Sequence, residues 1–189
     1  QKMKMYCWIG GDNPEVVLDQ ATKKINAGFN AVKMNATGGM EWVSSIKDIK
    51  NVANNIKLLR EEFGYELDIG LDFHGRVHKP MVKRLIDELA PYEPMFIEEP
   101  VLSENNDALR HIYQYTNIPI ATGERMFSRW DFKEILHQGV VDIIQPDLSH
   151  AGGISEVRRI ATMAEAYDIA IAPHCPLGPI SLASRLLKC

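Results

Sequence analysis

The sequence predicts an α/β fold, a (βα)8 barrel of the TIM type that is incomplete over these 189 residues. Three observations carry that expectation. Strand-like and helix-like segments alternate from end to end with short connections, which calls for a parallel sheet covered by helices. About seven βα units follow one another without a linker or a shift in composition, which favours a barrel over a doubly wound sheet made of two halves. The residues that close successive strands are ionisable, as expected at the end of a barrel that carries its site.

The first strand is MYCWIG. Its helix spans DNPEVVLDQATKKINAGF, with Asp12 or Asn13 as cap, Pro14 in the first turn and Gly28 as stop. AVKMNA is the second strand. Ile49, Val52, Ile56, Leu59 and Phe63, spaced by three and four, mark the helix that ends at Gly64. ELDIGLDFH and KPMVKRLIDELA form the third unit, MFIEEP and SENNDALRHIYQYT the fourth. IPIATGE is strand five, with Ser128 capping RWDFKEILHQ. VDIIQPD and ISEVRRIATMAEAY make the sixth unit, IAIAPH is strand seven, and PISLASRLLK opens one more helix. A closed barrel needs an eighth strand. Since the sequence starts at Gln1 without a methionine and stops at Cys189 after a helical run, it reads as a piece of something longer.

Composition narrows the function. At 46% hydrophobic, 24% charged and a formal net charge of −4, the chain reads as soluble and globular, with enough residues to bury a core. A mildly acidic balance without basic runs argues against nucleic acid or an anionic membrane as partner. No apolar stretch approaches the roughly 20 residues needed to span a bilayer, and no signal-peptide pattern is present. Cys7, Cys175 and Cys189 are too few and too scattered for a disulfide framework, so a reducing cytoplasm is expected. Cys175 sits beside a histidine, but nothing near it in the sequence marks a thiolate-stabilising site.

The strand ends carry the chemistry: Lys33 and Asn35 on strand two, Asp72 and His74 on three, Glu98 and Glu99 on four, Glu124 on five, Asp147 near six and His174 on seven. Side chains two apart on a strand share a face, so Asp72 and His74 are expected to point together, opposite Leu71 and Phe73. Glu99 should face away from Glu98 into a structural salt link. Asp72, Glu98 and Glu124 end three successive strands at equal spacing. Carboxylates converging in one concave site repel one another unless a cation neutralises them, and oxygen-only ligands suit a hard ion such as Mg2+. Zinc is disfavoured: His74 and His78 are separated by a glycine turn, and no HExxH or CxxC occurs. His111 and His137 fall on helices and are expected at the surface. SHAGG could cradle a phosphate, although Gly-Gly at such a place more often only makes a turn.

Read together, VKMNATG, DFHGRVHKP, FIEEPV, ATGERMFSR, QPDLSHAGG and APHCPLGPI resemble the enolase superfamily, and are most similar to the D-galactonate dehydratases of its mandelate-racemase-like group. The resemblance implies that residues 1–189 are a partial C-terminal barrel domain, with an N-terminal capping domain and the last strand outside the chain. It implies Asp72, Glu98 and Glu124 as Mg2+ ligands, His174 as general base, Asp147 as its partner, and His74 as the general acid for the departing C3 hydroxyl. Related racemases carry Lys-x-Lys on strand two; here Lys33-Met34-Asn35 stands, and Asn35 can bind a substrate hydroxyl but cannot remove a proton. The implied activity is Mg-dependent dehydration of D-galactonate to 2-keto-3-deoxy-D-galactonate. Gluconate or galactarate is the alternative substrate. A small-molecule sugar acid is the expected partner, the full-length protein is expected to be a cytoplasmic homo-oligomer, and the isolated chain is expected to fold poorly and be inactive. A binding protein on a decayed barrel fits less well, because all three carboxylates and both histidines are present.

Overall fold

The computed structural model describes residues 4–11, 13–176 and 178. The chain divides into two units. The first runs to Leu102 and includes Tyr115–Ile118; the second comprises Ser103–Gln114 and continues from Pro119.

In the first unit, β1 (Cys7–Trp8), β2 (Ala31–Asn35), β3 (Asp68–Asp72) and β4 (Phe96–Glu98) pair in parallel and in chain order. The register explains the two faces. Met34 pairs with Leu71 and Leu71 with Ile97, and all three are fully buried, as a parallel strand under helices requires. On the alternate face Asn35 pairs with Asp72 and Asp72 with Glu98, so these polar side chains form one row. One step back, Gly70 lies between Lys33 and Phe96. A Cβ at Gly70 would sit 2.6 Å from the Phe96 ring, so the glycine makes room for that ring.

The helices start and stop on local signals. For α1 (Pro14–Asn26) the cap is Asn13, whose Oδ1 accepts the Glu15 N–H at 2.9 Å. α2 (Ile46–Phe63) opens on a capping box: Ser45 Oγ accepts from Asp48 N at 3.2 Å and Asp48 Oδ2 from Ser45 N at 3.1 Å. Its Ile49, Ala53, Ile56 and Leu59 are buried, and it packs against α1 and α3 (Lys79–Leu89). Near its end the Arg60 guanidinium donates to the carbonyls of Gly64, Leu67, Tyr92 and Glu93 at 2.5–3.0 Å, tying the entries to β3 and β4 together.

In the second unit, β5 (Ile120–Thr122), β6 (Ile143–Ile144) and β7 (Ala170–Ile171) pair in parallel, again in chain order. The unit also holds α4 (Asp107–Tyr113), α5 (Arg129–Gln138) and α6 (Ile154–Ala166). The segment expected as one helix over residues 103–116 is instead a 3-10 turn, Ser103–Asn105, followed by α4. Strand six is shorter than expected because Pro146 has no N–H to give the ladder. Pairing resumes as an isolated parallel bridge between Asp147 and His174. Each strand up to β6 is followed in the chain by a helix, the α/β order the sequence predicts. The helix expected over residues 179–188 lies outside the described residues. Among the described residues, no helix is long and apolar enough to cross a membrane.

Candidate active site

In the first unit the polar row is organised by Lys33. Its Nζ lies 2.7 and 2.6 Å from the two Glu98 oxygens and 3.3 Å from Asp72 Oδ2. Both carboxylates have 0% exposure. Burial alone would lower the Lys33 pKa, but the charges of Glu98 and then Asp72 outweigh it and hold the pKa above its ordinary value. The rings of Tyr6 and Trp8 flank the same ammonium at 5.9 and 5.6 Å.

His74 reaches this cluster by a different route from the one expected. Alternation along β3 would have paired it with Asp72, but β3 ends at Asp72 and His74 stands in a left-handed turn at φ +48°. Asp72 Oδ1 accepts the His74 backbone N–H at 2.8 Å, and the turn brings His74 Nε2 to 3.1 Å from Asp72 Oδ2. β4 ends at Glu98, and Glu99 is buried in a left-handed conformation at φ +43°. Asn35 lies in register with Asp72, and its Oδ1 has no hydrogen-bond partner among the described residues. His78 is the residue before α3 and stacks on exposed Trp42, ring centroids 4.0 Å apart.

In the second unit the centre is Asp147, at 0% exposure. Its Oδ1 accepts the N–H groups of Ser149 at 2.7 Å and His150 at 3.2 Å. Its Oδ2 stands 3.0 Å from His174 Nδ1. An acceptor so placed holds a proton on Nδ1. Nε2 faces Glu124 Oε2 at 3.1 Å. Glu124 comes directly after Gly123, whose φ of +134° and 2.8 Å approach to Phe132 admit no side chain. His111 and His137 are exposed on α4 and α5, as expected.

Two residues without an expected site role enter this geometry. Lys33, noted only as a strand-end residue, bridges the first-unit carboxylates; its proximity to a carboxylate row was the available signal. His150 lies beside His174 with ring centroids 6.3 Å apart. Its sequence neighbours suggested at most a phosphate turn, and the Gly153 N–H is already committed to Leu148 O at 2.9 Å. Of the thiols, Cys175 is partly exposed. Burial raises the pKa of Cys7, opposite to what a reactive thiolate needs.

Residues 16–187 match the family model described as enolase C-terminal domain-like, of the mandelate racemase/muconate lactonizing enzyme type. The chain belongs to that family. Among solved structures, a mandelate racemase/muconate lactonizing enzyme from Jannaschia sp. CCS1 is 31% identical, with a TM-score of 0.88 over 96% of this chain and 50% of the other. A candidate galactarate dehydratase from Agrobacterium radiobacter, bound to Na and L-malate, is 35% identical, with a TM-score of 0.84 over 96% of this chain and 47% of the other. A candidate member of the same type from Labrenzia alexandrii DFL-11 is 29% identical, with a TM-score of 0.89 over 97% of this chain and 52% of the other. This enolase-family chain therefore spans about half the length of these structures, and its α/β fold is that of their barrels.

Proposed function

We propose that the chain is the barrel portion of a sugar-acid dehydratase that converts D-galactonate to 2-keto-3-deoxy-D-galactonate. The observation that carries this reading is the Asp147–His174 pair, with its 3.0 Å contact and its fully buried carboxylate. A histidine held in one tautomer by a buried carboxylate is suited to general-base work near neutral pH. In this reading His174 Nε2 takes the proton from C2, and Asp147 orients the ring and stabilises the imidazolium that results.

The residues fit a hard divalent cation. Asp72 and Glu98 are buried oxygen donors in register on neighbouring strands, and Lys33 already brings a positive charge to both. The family resemblance gives Asp72, Glu98 and Glu124 as the residues that would hold Mg2+, which when bound would stabilise the second negative charge developing on the substrate carboxylate. His74 protonates the leaving C3 hydroxyl, because hydroxide leaves poorly without an acid. Asn35, with an unoccupied acceptor oxygen, binds a substrate hydroxyl. Its amide cannot remove a proton, which supports one-base elimination over racemisation. The partner is a small sugar acid, and the full-length protein is read as a cytoplasmic homo-oligomer.

The test is proton exchange at C2 in D2O by the full-length enzyme. His174→Ala should abolish both exchange and dehydration. Loss of dehydration with exchange intact would mean that another group is the base. Similarity to the Agrobacterium radiobacter protein, at 35% identity, favours galactarate as a second reading. Faster turnover of galactarate than of galactonate would replace the first.

A further inference from the structure

We infer that His150 is a specificity-determining residue, which accepts a hydrogen bond at Nε2 from a hydroxyl of the substrate chain. The inference rests on the sugar-acid reading and concerns a residue to which that reading gives no role. It stands on three observations within the second unit.

The tautomer comes first. His150 Nδ1 lies 2.8 Å from the backbone carbonyl oxygen of Glu124. A carbonyl can only accept, so Nδ1 carries the N–H and the neutral ring presents a bare lone pair at Nε2. The second observation is that the residue is held in place. Asp147 accepts the His150 backbone N–H through Oδ1 while its Oδ2 meets His174 Nδ1, so one buried carboxylate sets both imidazoles. The third is position. The His150 ring lies 6.3 Å from the His174 ring, tilted by 39°, with Phe127 6.2 Å away, and the residue is exposed.

A polyhydroxy acid whose α-carbon meets His174 carries hydroxyls a few carbons along its chain, the span that separates the two rings. An acceptor of fixed tautomer there is matched by an O–H donor. A chain bearing only hydrogen at that carbon leaves the acceptor unpaired, and such sites discriminate strongly against the analogue that lacks the hydroxyl. His174 acts on the α-carbon whatever the rest of the chain; His150 tests the hydroxyl pattern of the remaining carbons.

The experiment uses the full-length protein with its divalent cation, and D-galactonate, D-gluconate and galactarate as probes. Steady-state KM and kcat are measured for the wild type, His150→Ala and His150→Gln, alongside C2 proton exchange. Monodeoxy analogues of the best substrate, altered at C4, C5 or C6, complete the set. The expected result is a five- to tenfold rise in KM for His150→Ala, about one hydrogen bond, with C2 exchange at saturation close to wild type. His150→Gln, which keeps an acceptor, should recover most of the loss. One deoxy analogue should be disfavoured by the wild type and no longer by His150→Ala. Unchanged KM and unchanged discrimination in His150→Ala would overturn the inference while leaving the dehydratase reading intact. An equal fall in kcat and exchange with KM unchanged would overturn it too, by assigning His150 to the proton transfer itself. A wild type that neither exchanges nor dehydrates any of the three acids would defeat both readings.

Discussion

Replacing Lys33 with methionine removes the ammonium that links Asp72 and Glu98 but keeps the volume of the stem. The Lys33 side chain is 7% exposed and the two carboxylate side chains 0%. Breaking a buried ion pair from one side costs about 3–5 kcal/mol, because the remaining charge stays in a low-dielectric site. For a domain of this size about 2–4 °C of Tm accompanies each kcal/mol, so Lys33→Met should lower Tm on the order of 10 °C in EDTA at pH 7. The raised Lys33 pKa sets the sign of the pH dependence. A lysine whose folded pKa lies above its unfolded value contributes stability that is complete below about pH 10 and fades as pH rises through the folded value. The Tm gap between wild type and variant should therefore be wide at pH 7 and narrow at strongly alkaline pH. Added Mg2+ should raise the Tm of the variant more than that of the wild type, since the cation meets carboxylates without a competing ammonium. The assay is thermal unfolding of the full-length protein by circular dichroism, in EDTA and in Mg2+. A Tm within about 2 °C of wild type in EDTA, less than one kcal/mol by the same conversion, would refute the reasoning.

Three further outcomes test the frame around the site. Gly70→Ala places a methyl 2.6 Å from the Phe96 ring, and overpacking of that kind should cost about 1–3 kcal/mol in chemical denaturation. Arg60→Lys loses the planar fork that reaches four carbonyls, and should destabilise by about 2 kcal/mol, close to the loss for Arg60→Met. Glu156 accepts from the Arg129 N–H and is paired with Arg159 and Arg129, in that order of effect, which holds its carboxyl below the ordinary value. Its stabilisation is present above the unfolded carboxylate pKa and lost as pH falls through the folded one. Glu156→Gln should therefore flatten the acid limb of a Tm-against-pH curve below about pH 4.

Asp72, Glu98 and Asp147 were legible because strand order and chain position alone bring a residue to a strand's C-terminal end. Their burial is a consequence of the parallel sheet. His74 was expected beside Asp72 by strand alternation, and it lies there for another reason. Strand alternation does not extend past Asp72, and a left-handed turn performs the approach instead. No hydrophobic period encodes such a turn; the adjacent glycine, Gly75, is the only trace of it in DFHGR.

Lys33 and His150 were illegible as partners for another reason, which concerns reach across strands. The ammonium of Lys33 meets Glu98 two strands away, and that depends on the register, in which Lys33 pairs with Gly70 on the strand between. The tautomer of His150 depends on a backbone carbonyl at the end of a different strand, and a carbonyl is the same group in every residue type. Side-chain identity can announce a base or a metal ligand. It cannot announce which main-chain oxygen will fix a ring's proton. The residues proposed for chemistry are therefore read more readily from sequence than the one proposed to choose the substrate, because the former are marked by their own functional groups and the latter by the backbone it meets. His150→Gln separates the two cases, since it retains an acceptor while removing the imidazole: recovery of KM by glutamine assigns the residue to recognition, and failure to recover assigns it to the ring.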